Sequence, residues 1–269
     1  GPTALLTTLF ATSLMLWLGY LTGRAFGWTT MESFFLGAIV AISSTTIVAR
    51  AFEDVKMKNP VRGVVIGVLL VEDLVAIVLM TVLTAVAAGR NVSAGDFALT
   101  LGRLVAFLAA LLWAGLLVVP RLMKLVVKQD SKEMLAVSAI ALCFGFALLA
   151  NAAGYSVALG AFIAGSLVAE TGRGHDVEQA IRPVRDIFAA VFFVSVGMLL
   201  DPKLLIEWWP HVLAVAAVVI AGKLTGVSLG VFFTGNGVKT AVQSGLSLAQ
   251  IGEFSFIIAS LGLSLKGTR

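Results

Sequence analysis

Nine stretches of the chain are almost continuously apolar: residues 2–22, 34–52, 62–88, 98–120, 133–151, 156–171, 186–200, 211–233 and 240–264. About 20 apolar residues suffice to cross the hydrocarbon core as a helix. The pattern therefore predicts nine membrane spans and no soluble domain. The run at 2–22 has neither the basic start nor the small-residue cleavage site of a secretion signal, and further spans follow it, so it reads as a span. The runs at 156–171 and 186–200 are short, and Gly154, Gly172, Gly174 and Pro183 punctuate the chain around them.

Composition excludes the alternative of a water-soluble globule. Of 269 residues, 59% are hydrophobic and 13% charged, against roughly a quarter charged in ordinary soluble domains. Mean hydropathy is +1.02, and so few charges cannot cover a globule of this size. The lone cysteine, Cys143, lies within an apolar run and has no partner for an intrachain disulfide or a cysteine metal site.

The net charge of +4 does not point to nucleic acid, because the basic residues sit in short loops between apolar runs. Their distribution sets an orientation instead. Arg50, Lys56, Lys58, Arg62, Arg121, Lys124, Lys128, Lys132, Arg173, Arg182, Arg185 and Lys239 fall on one side, assigned to the cytoplasm. Arg24, Arg90, Arg103, Lys203, Lys266 and Arg269 fall on the other. The first span then starts in the cytoplasm and the ninth ends outside. The chain opens on Gly1-Pro2 and stops on a basic stub, Lys266 to Arg269, which reads as a piece of a longer protein.

Four ionisable residues fall inside predicted spans: Glu72, Asp73, Lys223 and Glu253. Each costs roughly 3 kcal/mol at a helix centre, together on the order of 10 kcal/mol. One explanation is a structural ion pair between Lys223 and either acid of the 72–73 pair. Such a pair adds little stability, since desolvation roughly cancels attraction, and two acids against one base leave a carboxylate over. Helix neighbours point about 100° apart, so one carboxylate can face a base while the other faces a cavity. A carboxylate in that position holds either a proton or a cation, and this competition is enough to make an exchanger. Lys223 would serve as the resting counter-ion. Glu253 would pair with a base or line a funnel.

A cation shedding water in a bilayer needs further oxygens, which unwound helix segments supply. Ser43, Ser44, Thr45 and Thr46 interrupt one span, and Gly245, Ser247, Gln250 and Gly252 interrupt another. Taken singly, each cluster is equally compatible with back-bonded hydroxyls or close helix packing. As a pair, they follow the pattern of inverted-repeat transporters, with the first three spans as one repeat and the last two plus a further span as the other.

Five ordered motifs then carry a family resemblance: AISSTTIVAR at 41–50, VLLVEDLVAI at 68–77, ALGAFIAGSLVAET at 158–171, FFVSVGMLLDP at 192–202 and GLSLAQIGEFSF at 245–256. Together they resemble the Kef-type branch (CPA2) of the monovalent cation:proton antiporters. The resemblance implies an all-α polytopic membrane protein of the NhaA-like inverted-repeat fold, with two crossing discontinuous helices and with the family's first spans and last span outside this chain. It implies exchange of Na⁺ or K⁺ for H⁺ by an elevator-like, alternating-access movement in a bacterial inner membrane. By the same resemblance, Asp73 matches the ion-binding aspartate, with Thr46 as a second oxygen for the monovalent cation. Ser43 to Thr46 and Gly245 to Glu253 match the two broken helices, and Lys223 matches a core lysine. Kef-type potassium carriers usually have Gln-Asp where this chain has Glu72-Asp73, and many sodium carriers have Asp-Asp, so the acidic pair leans toward Na⁺. A homodimer and a cytosolic nucleotide-binding regulatory domain beyond this chain are also implied.

Rival classes fit less well. A passive cation channel would be expected to carry a filter of the TVGYG type, and a sodium-coupled symporter of organic anions would need more basic groups at depth than Lys223. There is no P-loop, HExxH or nucleophile elbow, so neither an enzyme nor a cofactor is expected. Trp28, Trp208 and Trp209 read as interfacial anchors. His175 and His211 read as surface histidines, and Glu170, Asp186, Arg173 and Arg185 as solvated pairs of little consequence.

Overall fold

A computed structural model of the chain describes residues 1–55, 60–87, 94–127, 131–153, 155, 157–198 and 201–264. All regular structure among them is helical. In chain order the helices are α1 (Pro2–Ala25), α2 (Thr30–Ala41), α3 (Thr45–Val55), α4 (Val61–Ala87), α5 (Ala94–Val127), α6 (Lys132–Ala152) and α7 (Val157–Val168). After a π-helical turn at Ala169–Arg173 come α8 (Gly174–Gly197), α9 (Pro202–Glu207), α10 (Trp209–Phe233), α11 (Val238–Ser247) and α12 (Phe254–Ser264). Six segments among the described residues are long and apolar enough to cross a membrane: Pro2–Ala25, Thr30–Phe52, Val61–Met80, Val105–Val126, Lys132–Ala152 and Trp209–Phe233. Lys56, Lys58, Arg90, Lys128, Lys266 and Arg269, used above to orient the chain, lie outside the described residues, as does Gly154.

The chain divides into two compact units, residues 1–90 with 201–269 and residues 91–200. In the first unit, α1 is the central post, packed against α2, α10 and α4. Small residues make this closeness possible. On α10, Gly222, Gly226 and Gly230 stack at helical spacing against Met15, Ala11 and Thr7 of α1, and Gly19 of α1 meets Gly37 of α2. An apolar cluster of Ala4, Val48, Val65, Leu69, Val227, Ala241 and Leu248 fills the space where α1, α3, α4, α10 and α11 converge.

Local signals set the helix ends. After Gly27, whose φ is +78°, Thr29 opens α2 with a reciprocal cap. The Glu32 amide donates to the Thr29 hydroxyl at 3.3 Å, and the Thr29 amide donates to the Glu32 carboxylate at 2.8 Å. Asp201 caps α9 by accepting from the Lys203 amide at 2.9 Å, with Pro202 at the first helical position.

In the second unit, α6 packs against α7 and α8, and α5 packs against α7. Two expectations change here. The run at 186–200 is only the later part of α8, which starts at Gly174 and passes through Pro183. Proline does not end this helix, because it removes a single backbone donor while the turns on either side continue. The run at 156–171 ends in the π-helical turn, with Gly172 at φ +73°. The surface pairs form as Arg173–Asp176 at 3.0 Å and Arg185–Asp186 at 2.9 Å, all about half exposed. Glu170 is not a partner in either.

Candidate functional site

Two of the apolar runs are interrupted where the sequence places hydroxyls, glycine and glutamine. Between α2 and α3 the chain is non-helical at 42–44, and between α11 and α12 it is irregular from 248 to 253. The two interruptions meet. The Gly252 amide donates to the Ile42 carbonyl at 2.9 Å. The Ser44 amide donates to Gln250 Oε1 at 2.8 Å, and Gln250 Nε2 donates back to the Ser44 carbonyl at 3.3 Å. Ser43 Oγ donates to the Leu248 carbonyl at 3.4 Å, and Ser255 Oγ donates to the Ile39 carbonyl at 2.6 Å. Backbone freed from helical pairing is thus re-paired across the crossing, as a low-dielectric interior requires.

Gly252 is required by this contact. A Cβ there would lie 2.4 Å from the Ser43 carbonyl oxygen and 2.9 Å from the Ser44 amide nitrogen. Gly245 has a parallel role one element earlier, where a Cβ would lie 2.7 Å from the Leu224 carbonyl oxygen on α10.

The ionisable residues surround this crossing. Lys223 and Glu72 are fully buried and paired, Nζ to Oε1, at 3.2 Å. Lys223 also donates to Ser43 Oγ at 2.7 Å and to the Ala41 carbonyl, where the ammonium meets the negative C-terminal end of α2. The other Glu72 oxygen accepts from the Ser43 amide at 2.9 Å. Every polar atom of this pair has a partner, the condition under which a buried ion pair is tolerated.

Asp73, the next residue along α4, faces differently. Its Oδ2 accepts from Thr45 Oγ1 at 3.3 Å. Its Oδ1 is buried without a hydrogen-bond partner, although the residue is only 9% exposed. Glu253, immediately before α12, accepts from Ser44 Oγ at 2.8 Å and from Thr46 Oγ1 at 2.9 Å. The Ser44 hydroxyl in turn caps α3 by accepting from the Ile47 amide at 3.2 Å. Among the described residues, no group of three or more His, Cys, Asp or Glu side chains forms a metal cluster.

Of the residues singled out within the predicted spans, Glu72, Asp73, Lys223, Ser43 to Thr46, Gln250, Gly252 and Glu253 gather at one place, whereas Gly245 packs against α10 and the Ser247 hydroxyl donates to the Gln243 carbonyl of its own helix. The sequence left open which acid Lys223 holds, and the geometry assigns it Glu72. The hydroxyl nearest Asp73 belongs to Thr45, while that of Thr46 turns to Glu253. Further participants were not singled out: the carbonyls of Ile39, Ala41, Ile42 and Leu248, for which no side-chain signal exists, and Ser255, two positions after Glu253. His211 is held between the rings of Phe26 and Trp208, with centroids at 4.4 and 4.8 Å.

Among the described residues the chain is all helical, with ionisable groups gathered where two broken helices meet, an arrangement typical of ion-handling membrane proteins. The chain belongs to the family described as sodium/hydrogen exchanger, transmembrane, whose model matches residues 2–267. Among curated proteins it is 37% identical over 258 residues to a protein of Escherichia coli (strain K12) named as the cation/proton antiporter YbaL, covering 93% of this chain and 46% of that one. It is 36% identical over 271 residues to a protein of Alkalimonas amylolytica named as the K⁺ efflux antiporter KefB, covering 97% and 38%. To a protein of Bacillus cereus named as the Na⁺/H⁺ antiporter GerT it is 28% identical over 248 residues, covering 91% and 65%. The Kef-type resemblance is thereby shown, and these relatives are named as transporters, not enzymes. The chain spans less than half the length of the first two.

Proposed function

We propose that this chain is the membrane part of a secondary antiporter that exchanges a monovalent cation for H⁺ by alternating access, with Asp73 as the site shared by cation and proton. The observation that carries this reading is the isolation of Asp73. Lys223, buried at the crossing, is held by Glu72, Ser43 and Ala41, and Asp73 keeps one buried oxygen without a partner. A carboxylate at that depth is stable only when protonated or when it binds a cation. The two states exclude each other, which couples the movements of the two ions.

The oxygens around Asp73 support a cation of low charge. Thr45 offers a hydroxyl to Asp73, and the adjacent Thr46 hydroxyl donates to the Glu253 carboxylate. The lean toward Na⁺ rested on counting Glu72 with Asp73, and the engagement of Glu72 by Lys223 weakens it. The relatives' printed names divide between K⁺ and Na⁺, so both ions enter the test. The inverted-repeat relation between the α2–α3 and α11–α12 breaks, the homodimer, the cytosolic regulatory domain and the bacterial inner membrane belong to the same proposal and rest on the resemblance.

The test uses the complete protein in liposomes that carry a pH gradient. Added Na⁺ or K⁺ should collapse the gradient for the wild type and not for Asp73→Asn. The cation KM should rise as pH falls, because protons compete for the same oxygens. Wild-type exchange by the Asp73→Asn variant would overturn the assignment.

A further inference from the structure

Glu253 lies 180 positions after Asp73 in the chain, yet it faces the same turn of backbone. Thr45 and Thr46 are consecutive at the start of α3. One donates to Asp73 and the other, together with Ser44, donates to Glu253. Two carboxylates, Asp73 on α4 and Glu253 at the end of the break before α12, thus flank the N-terminal end of α3. Among the described residues, neither is paired with a base, since Lys223 is held by Glu72.

We propose that Glu253 supplies the second carboxylate of the ion site, so that the bound monovalent cation bridges Asp73 on α4 and Glu253 in the break before α12. This rests on the reading of Asp73 as the ion site and deepens it. A lone acidic cluster would not support the idea. The independent observation is the Asp73 Oδ1 atom, more than nine-tenths buried with its residue and without a hydrogen-bond partner.

The hydroxyl chemistry agrees. A hydroxyl that coordinates a cation turns its lone pairs to the ion and its proton to an acceptor. Thr46 already directs its proton to Glu253 and Thr45 directs its proton to Asp73, which leaves the lone pairs of both threonines available. Thr46 is exposed in this unit, so its oxygen is reachable by an incoming ion. Ser44 differs, because its oxygen is already used by the Ile47 amide; it is a helix cap rather than a ligand.

The bridge has a mechanical consequence. The crossing is tied by the Gly252 amide on the Ile42 carbonyl and by the Gln250 and Ser255 side chains on the backbone of Ser44 and Ile39, regardless of the ion. A cation between α4 and the break before α12 adds a tie that exists only in the loaded site, so loading stiffens the crossing and unloading loosens it.

The experiment measures cation-driven exchange at one fixed pH for wild type, Asp73→Asn, Glu253→Gln and Glu253→Asp, for Na⁺ and K⁺ separately. Glu253→Gln should raise the KM for both ions by about tenfold or more, while Vmax at saturation stays within about threefold. Glu253→Asp, which withdraws the carboxylate by one methylene, should recover part of the affinity and shift the KM ratio toward K⁺, the larger ion. A purely structural tie predicts a loss of Vmax or stability with an unchanged ratio, and that result would overturn the proposal. If Glu253→Gln does not survive purification, the Glu253→Asp ratio decides alone. Failure of Asp73→Asn to abolish exchange would instead remove the underlying site.

Discussion

Lys223 and Glu72 lie 151 positions apart in sequence and meet at 3.2 Å with no solvent exposure on either side chain. Their pairing separates two adjacent acids into two different parts. Glu72 holds Lys223 and also receives the Ser43 amide, and Asp73 has no basic partner among the described residues. The first consequence concerns stability. Lys223→Met leaves Glu72 buried and unpaired, a change that typically costs about 3–5 kcal/mol. A markedly lowered melting temperature in detergent is expected. The double variant Glu72→Gln with Lys223→Met should recover part of it, and a single variant as stable as wild type would show the pair to be dispensable.

Gly252 offers a steric test of the crossing. Its Cβ would enter the Ser43 carbonyl, so Gly252→Ala must push the two breaks apart, at a cost of about 1–3 kcal/mol. Transport should fall with it. Gly63 on α4 has nothing within 4 Å of a Cβ and is the control. Gly63→Ala should be neutral or slightly stabilising, because alanine loses less chain entropy in a helix.

Gln250 clamps Ser44 from both sides, as acceptor for its amide and donor to its carbonyl. Gln250→Ala removes both bonds while the other ties across the crossing remain. Amide hydrogen exchange at residues 42–46 should accelerate relative to α1, read by mass spectrometry. An unchanged exchange rate there would mean that the clamp contributes nothing to holding the break.

The glycine contacts of α1 are not equivalent. At Gly37 the obstacle to a Cβ is the Leu16 carbonyl oxygen at 2.6 Å, whereas at Gly222 it is the Met15 sulfur at 2.6 Å. Backbone cannot yield, but a methionine thioether can adopt another rotamer. Gly37→Ala should therefore lower thermal stability substantially more than Gly222→Ala. Equal losses would show that the α1–α10 seam is as rigid as the α1–α2 seam.

Much of this molecule can be read without coordinates, for a physical reason. Lipid leaves only helices and closed barrels to satisfy the backbone, and unbroken apolar runs of about 20 residues suit helices, so such runs translate directly into helices and a charged residue within one is conspicuous. Glu72, Asp73, Lys223 and Glu253 stand out on that ground alone, and Ser43–Thr46 and Gln250–Gly252 stand out as polar breaks. The same one-dimensional pattern does not reveal that α8 continues through Pro183, because a helix tolerates one missing donor when its neighbouring turns hold.

What only the tertiary structure decided is partnership. Helix neighbours diverge by about 100°, which guarantees that Glu72 and Asp73 part company but not which of them meets Lys223. That choice depends on how α10 and α4 are set around α1, through glycine contacts and packing that no local pattern encodes. The placement of Glu253 beside Ser44 and Thr46, and the use of the Ala41 and Leu248 carbonyls, arise in the same way. The sequence determined that charge lies within the membrane, while the packing of distant helices determined which of the two adjacent acids Lys223 answers.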